Sequence, residues 1–424
     1  MKFRVLVFPC GSEIGLEIHQ ALRYSAHIEL FGASSVPDHG RFVYERYTGS
    51  IPFSTQKGFG TALKDIVDRE KIDFIIPAHD EAVLALAENA QLLGRPIIGS
   101  PLATCQICRS KKKTYELFAG KLPVPKMFAL SDNLQFPIFL KPDAGYGSRG
   151  VVRAATLREA EFYCSNNPAL IPMEYLPGKE YTIDCFTDRH GVLRFADARG
   201  RIRVSNGISV SSRTVEGEEF QSFAQIINAG LSLRGAWFFQ MKQNASGQPV
   251  LMEIAPRIAG SSGLHRVMGV NLPLLSIYDA AGLDVEVVTN TANFEFDRAL
   301  GSRFKTDLRF CHVYVDWDDC LWINESMNLM LLAFLYQCVG KKIKVHLLTR
   351  HKGEMANELE RCRVSGLFDS VTLLSAGQKK SSLIAEKDAI FIDDSFAERN
   401  DVSKNCGIPV FGPEMVEALI QGAL

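Results

Sequence analysis

Four short apolar runs, Phe3–Phe8, Ile28–Gly32, Phe74–Pro77 and Pro96–Ile98, punctuate the first hundred residues, and helix-periodic stretches such as Gly15–Tyr24 and Gly60–Glu70 separate them. This alternation is the βαβ pattern of an open parallel sheet. From about Cys108 to Leu283 longer strands and hairpins with few helices take over, which predicts an α+β arrangement. Residues 284–306 are mixed and polar and predict a terminal strand plus a linker. The strand-like FCHVYV that follows reopens an alternating α/β pattern. The pattern therefore divides the chain into a parallel-sheet domain (1–105), an α+β region (106–285), a terminal strand and linker (286–307) and a second α/β domain (308–424).

Several classes fall away on the same pattern. The apolar start, MKFRVLVF, is broken at once by Pro9 and Gly11, too short for a secretory leader, and predicts a first buried strand. The longest strongly apolar segment, Met327–Val339, spans about 13 residues against the roughly 20 needed to cross a bilayer, so it predicts a core helix and no membrane partner. With 46% hydrophobic residues, the 424-residue chain has the make-up of a globular protein of several packed units. Its 47 Lys and Arg against 48 Asp and Glu give a net charge of -1, so no nucleic-acid partner is expected, although a local basic pocket is compatible. Ten cysteines without framework spacing favour a reducing, cytoplasmic setting. Cys105 and Cys108 form the only CxxC and read as ordinary thiols.

Two segments carry phosphate and metal chemistry. FLKPDAGYGSRGV (139–151) sets a lysine beside Gly145, Gly147 and Gly150, a flexible cationic cover for phosphates. VLMEIAPRIAGSSG (250–263) supplies Glu253 for a metal and Arg257 for an anion. Together they predict ATP held between two lobes. The turn CGSEIG after the first strand lacks GxGxxG and reads first as a tight strand-to-helix turn. In HDE (79–81), Asp80 is expected as a helix N-cap and only secondarily as a substrate contact.

With these motifs in order, residues 1–283 resemble the ATP-grasp superfamily, in particular carboxylate-amine ligases related to carbamoyl phosphate synthase and biotin carboxylase. The resemblance implies ATP and Mg²⁺ as cofactors, with Mn²⁺ an alternative. In RSKKKTYELF it implies Lys113 at the α-phosphate, with the register among three lysines open by one or two residues. Lys141 would be the second phosphate lysine, under a loop of Gly145, Gly147, Ser148 and Gly150. MEYLPGKEYTID would place Glu174, Tyr175 and Leu176 at the adenine and Glu180 at the ribose, with Asp184 either supporting or exposed. Gln240 and Glu253 would bind metal, while Ala255 replaces the family's asparagine. Arg257 would hold the transferring phosphoryl group. Arg199, Arg203 and Arg213 are candidates for a substrate carboxylate, some of them facing water.

After the linker, Asp316, Asp318 and Asp319 crowd a strand end, which favours a cation. Residues 308–424 resemble the haloacid dehalogenase-like phosphohydrolases, which have a Rossmann-like fold. Asp316 and Asp318 match the first motif with Cys320 in place of threonine, Thr349 the second, Lys380 (or Lys379) the third, and Asp393 with Asp394 the fourth. The resemblance implies Asp316 as nucleophile, Asp318 as acid and base, Mg²⁺ on Asp316, the Asp318 carbonyl and Asp393, and Thr349 and Lys380 on the phosphate. Leu321–Thr349 leaves no room for a large cap.

The expected function is a ligase joining a small-molecule carboxylate to an amine through an acyl phosphate, coupled to a phosphatase acting on a phosphorylated metabolite. Two alternatives stand beside it: one half serving as a nucleotide- or phosphate-sensing module, and an ATP-grasp phosphotransferase. A homodimer through the first domain is a further expectation from the resemblance.

Overall fold

A computed structural model describes residues 2–145, 147, 149–205, 207–290, 294–302, 304 and 306–420. The chain divides into two compact units, Met1–Leu300 and Gly301–Leu424. The first opens with β1 (Phe3–Phe8), β2 (Ile28–Ala33), β3 (Arg46–Thr48) and β4 (Phe74–Pro77), a parallel sheet of order β3-β2-β1-β4. Val5 and Val7 pair with Leu30 and Gly32 on one side and with Phe74 and Ile76 on the other, which accounts for the unbroken apolar run of a central strand. The helix Glu13–Leu22 begins ahead of its apolar periodicity because the Ser12 hydroxyl accepts from the Gly15 N–H at 3.0 Å. A Cβ at Gly15 would collide with the Cys10 carbonyl, so the turn admits only glycine.

Pro96–Ile98 was expected as a strand but forms only an isolated parallel bridge from Ile97 to Ile75. Pro96 has no N–H with which to extend a ladder. Conversely β3, three residues of an edge strand, carries no apolar signal.

Next comes a three-stranded antiparallel sheet, β6-β5-β7, from β5 (Ile138–Pro142), β6 (Val152–Ala154) and β7 (Leu170–Glu174). A six-stranded sheet follows from β8 (Glu180–Thr187), β9 (Leu193–Ser205), β10 (Ile208–Thr214), β11 (Gly235–Gln243), β12 (Pro249–Ala255) and β13 (Glu295–Asp297), ordered β12-β11-β8-β9-β10-β13. The period of two divides its faces. Tyr181, Ile183, Trp237 and Phe239 are buried under Phe220, Ala224 and Ile227 of the helix Glu218–Gly230, each large side chain contributing about 1.5–3 kcal/mol. The opposite positions, Thr182, Arg199, Arg201 and Gln240, face a cleft. β13 pairs antiparallel with β10 at the edge of this sheet.

The second unit is a five-stranded, all-parallel sheet. Its strands β14 (His312–Val315), β17 (Lys344–Thr349), β18 (Ser370–Leu373), β19 (Ala389–Ile392) and β20 (Val410–Phe411) run in the order β18-β17-β14-β19-β20, and a small hairpin, β15 (Trp322–Ile323) with β16 (Ser326–Met327), follows β14. The apolar segment predicted as a core helix is the helix Leu329–Gly340, buried through Leu331, Phe334, Leu335 and Cys338. Between Leu321 and Thr349 the chain has room only for that hairpin, this helix and β17. Among the described residues, no helix is long and apolar enough to cross a membrane.

Candidate functional site

A cleft of about 800 Å³ runs over the polar face of the six-stranded sheet. Its cationic side begins at Ser110, which caps the helix Lys111–Phe118 by accepting from the Lys113 N–H at 3.2 Å and donates to Asp143 at 2.8 Å. The cap sets the lysine register. Lys111 lines the cleft, its Nζ donating to the carbonyls of Pro142 (3.1 Å) and Asp143 (3.2 Å), whereas Lys113, expected at the phosphates, is exposed. Arg109 donates to the Gly145 carbonyl at 3.0 Å and ties the glycine loop down. Gly145 and Gly147 line the cleft, Gly150 packs beside Pro142 at a φ of 69°, and Ser148 lies outside the described residues. Gly207, in the turn between β9 and β10, has a φ of 77°, and a Cβ there would collide with the Gly147 backbone. The turn and the glycine loop thus meet backbone to backbone.

Lys141, on β5, is 8% exposed, with Nζ 3.5 Å from the Met252 sulfur. Burial pushes its pKa down to about 8 against the opposing charge of Glu253. At the end of β7, Glu174 accepts from the Lys126 N–H at 3.3 Å, the Tyr175 ring lies near Phe139 and Arg153, and Leu176 is buried. None of these three is among the residues lining the cleft. Glu180 pairs with Lys242 (2.7 Å) and Arg201 (3.2 Å). Burial would raise its pKa, but these cations hold it below the ordinary value.

Gln240 and Glu253 are register partners on β11 and β12, and both line the cleft. The Gln240 carbonyl oxygen accepts from Arg201 at 2.9 Å. Ala255 lines the same wall and offers no side-chain oxygen. Arg257 engages Asp80 through two bonds of 2.7 Å, a fork that keeps Asp80 ionised despite its burial. Asp80 is therefore not the N-cap expected of it. His79 takes that position in extended backbone, with Nδ1 accepting from the Glu81 N–H at 3.3 Å, and leaves Asp80 as the first helical residue to meet Arg257.

The three candidate arginines separate. Arg199 is buried in the cleft wall, bonded to Asp184 and Ser261, both at 2.7 Å. Arg203, at the open end of β9, pairs with Asp297 at 2.8 Å on the exposed surface. Arg213 is opposite Gly200 on the neighbouring strand. Cross-strand partners share a face, so it points away from Arg199 and Arg201 and is exposed. Arg201 was missed, although it shares the period-two spacing of Arg199 and Arg203. It donates to Gln240 and to the Gly207 carbonyl (2.7 Å), joining the metal-candidate wall to the turn over the cleft.

The second unit gathers its acids where adjacent parallel strands end. Val315 pairs with Ile392, bringing Asp316 beside Asp393, and the carboxylates of Asp316, Asp393 and Asp394 lie within 4.8 Å of one another. Lys380 Nζ reaches Asp393 at 2.6 Å and Asp316 at 3.0 Å, while Lys379 pairs with Asp401 on the surface. Burial raises Asp393 to about 6, even with Lys380 against it. Asp316 Oδ1 is buried without a partner among the described residues. Thr349 is buried at the end of β17, accepting from the His351 N–H at 3.2 Å. The Asp318 carboxylate turns instead to His351 Nδ1 at 2.9 Å, so Asp394 rather than Asp318 completes the carboxylate group. Cys320 is buried, its sulfur 3.8 Å from the Ile392 carbonyl.

Residues 166–298 match the family described as ATP-grasp in the biosynthetic pathway with Ter operon. No curated protein sequence matches the chain. Among solved structures, the biotin carboxylase domain of Hydrogenobacter thermophilus 2-oxoglutarate carboxylase, a dimer with MgADP, ADP and bicarbonate, is similar at 15% identity and a TM-score of 0.56, covering 68% of this chain and 72% of that one. An L-amino acid ligase from Bacillus licheniformis is similar at 18% identity and a TM-score of 0.54, covering 66% and 74%. N5-carboxyaminoimidazole synthetase from Staphylococcus aureus, complexed with ADP, gives 15% identity and a TM-score of 0.55, covering 68% and 81%. Sequence family and structural likeness agree that the chain carries the ATP-grasp fold.

Proposed function

We propose that the first unit is an ATP-dependent ligase that activates a small-molecule carboxylate and joins it to an amine. The observation that carries this reading is one cleft lined by Lys111, Arg109 and the glycine loop on one side and by Glu253 and Gln240 on the other. Lys111 and Lys141 would bind the nucleotide's phosphates, replacing Lys113 in that role, and Glu180 its ribose. Glu253 and Gln240 fit Mg²⁺, which takes few protein oxygens and completes its shell with phosphate and water, so the missing oxygen at Ala255 is compatible with one ion. The metal would neutralise phosphate charge. A carboxylate oxygen held at Arg199 attacks the γ-phosphorus and ADP leaves. The amine nitrogen then attacks the acyl carbon, the C–O bond to phosphate breaks, and phosphate and a proton are released. The L-amino acid ligase among the similar structures supports a carboxylate and an amine as substrates.

For the second unit we propose a haloacid dehalogenase-like phosphohydrolase, supported by Asp316, Thr349 and Asp393 at neighbouring strand ends and by Lys380, which bonds both aspartates from a short helical turn. Asp316, Asp393 and Asp394 suit a divalent cation because Asp316 Oδ1 is a buried oxygen without a partner.

ADP release from Mg-ATP, measured in an Asp316→Asn background with pooled carboxylates, with and without pooled amines, tests the ligase. Release that needs both pools and disappears in Lys141→Ala is the expected result. Release that needs neither, or a phosphorylated product without free phosphate, would overturn it in favour of idle hydrolysis or phosphotransfer.

Gly207→Ala gives a second expectation. The added methyl meets the Gly147 backbone in a left-handed conformation costing roughly 1–3 kcal/mol, so Mg-ATP affinity measured by calorimetry should fall about tenfold. Unchanged affinity would show that the contact between turn and glycine loop plays no part in nucleotide binding.

A further inference from the structure

Behind Arg199 lies a buried charge network that none of the proposed chemistry uses. Asp184 on β8 and Asp197 on β9 are direct cross-strand partners, an arrangement of like charges that destabilises a sheet unless a cation intervenes. His265, fully buried in the short helix Gly263–Val267, fills that gap. Its Nδ1 is 2.9 Å from Asp184 Oδ2 and its Nε2 is 3.2 Å from Asp197 Oδ2. A neutral imidazole carries one N–H and would turn a lone pair toward one of these carboxylates, so the two bonds together require the imidazolium. The count of charges agrees, since Asp184 and Asp197 are balanced by Arg199 and His265 only when the imidazole is protonated. The same Asp184 oxygen accepts from Arg199 Nε, and Arg199 Nη1 reaches Ser261 in the cleft wall.

We infer that His265 is a positioning residue: as an imidazolium it fixes the Asp184 carboxylate, which in turn aims Arg199 at the anionic group of the substrate. This deepens the ligase reading by making recognition of the substrate carboxylate depend on a proton outside the cleft.

The surrounding charges are already paired. Glu17, from the helix Glu13–Leu22, bonds to Arg266 at 2.7 Å, Arg298 bonds to Glu13, and Asp297 on β13 bonds to Arg203. Glu295, also on β13, is exposed. Burial lowers the imidazole pKa, but the bonds to Asp184 and Asp197 more than reverse it, leaving it above its ordinary value. A histidine raised in the folded state gives its stabilisation in full below its unfolded pKa of about 6.5 and loses it as pH rises through the folded value. Arg199 should therefore loosen on the alkaline side.

The test is imidazole and arginine NMR on the full chain. His265 is assigned by the signal lost in His265→Gln, and the Arg199 Nε–H by the signal lost in Arg199→Lys. Both His265 nitrogens should show imidazolium shifts at pH 7.5, and exchange of the Arg199 Nε–H should accelerate at least about tenfold in His265→Gln while Mg-ADP affinity stays within about threefold. A neutral His265 at pH 7.5, or Arg199 exchange unchanged in the variant, would overturn the inference. If His265→Gln does not fold, the wild-type titration decides instead. Arg199 exchange must then rise with deprotonation of His265, and exchange that ignores it refutes the coupling. These readings need no substrate, so they stand apart from the ADP-release result. Once a carboxylate is known, its KM should rise in His265→Gln with the KM for ATP unchanged.

Discussion

Lys141→Met should yield a protein more stable than the parent and at least about a hundredfold slower in substrate-dependent ADP release, the scale of losing one charge-stabilising donor in an active site. Both effects have one cause. Lys141 is 8% exposed, its Nζ lies 3.5 Å from the Met252 sulfur, and burial has brought its pKa from 10.5 to about 8. An unfolded chain binds that proton more tightly than the folded one. The charged lysine therefore costs stability below about pH 8, and this cost is relieved as pH rises from the folded toward the unfolded value. At pH 7 the depression corresponds to roughly 2–3 kcal/mol, most of which a methionine of similar length should recover. Glu253 offsets only part of the burial cost, and phosphate oxygens would supply further counter-charge, so the group is costly in the empty protein and useful in the loaded one. Urea denaturation at pH 7 and 9.5 checks the first half, with the gain from Lys141→Met shrinking at the higher pH. A variant that is less stable at pH 7, or that keeps its ADP release, would remove Lys141 from the phosphate role.

What was legible in the sequence follows from how each signal is encoded. The order of apolar runs and breaks marks β1, β2 and β4 because a strand buried on both faces leaves a continuous imprint, and it marks the helix Leu329–Gly340 because that helix is apolar all round, although Leu329, Met330, Tyr336 and Val339 are exposed. The edge strand β3 leaves none. Glu253, Gln240, Lys141 and Asp393 were named through motif order, and Asp316 also through acids crowding a strand end; of these, Glu253 and Gln240 line the cleft and Asp316 and Asp393 share one acidic cluster. Register inside a homogeneous run was harder. Three adjacent lysines differ only in where Ser110 starts the helix, and that cap turns Lys111 rather than Lys113 into the cleft. Long-range pairs were invisible: Asp80 and Arg257 are 177 positions apart, and nothing local distinguishes a capping aspartate from one held in a fork. Arg201 had a readable signal in its spacing from Arg199. Gly200 likewise places Arg213 on the far face, but only once the pairing of β9 with β10 is known.

Lys380→Met should destabilise the second unit by about 3–5 kcal/mol, the cost of removing one partner from a buried ionic group. Lys380 is 1% exposed and is the bridge between Asp316 and Asp393, with Asp394 in the same cluster. Without it, the buried carboxylates repel one another with no cation among the described side chains in contact with them. The loss separates a cation site from a purely structural ion pair, because Mg²⁺ can replace the missing charge on oxygens it prefers. A free concentration a hundred times the dissociation constant would restore about 2.7 kcal/mol. Fluorescence can follow this unit alone, since Trp317 and Trp322 belong to it and Trp237, in the first unit, can be changed to phenylalanine. The urea midpoint of Lys380→Met should fall and then climb with MgCl₂ beyond any effect of NaCl at equal ionic strength. An unchanged midpoint would mean that the ionic group contributes nothing to folding. A lowered midpoint that Mg²⁺ does not raise would mean that the three carboxylates are not a divalent-cation site, and the phosphohydrolase reading would lose its metal.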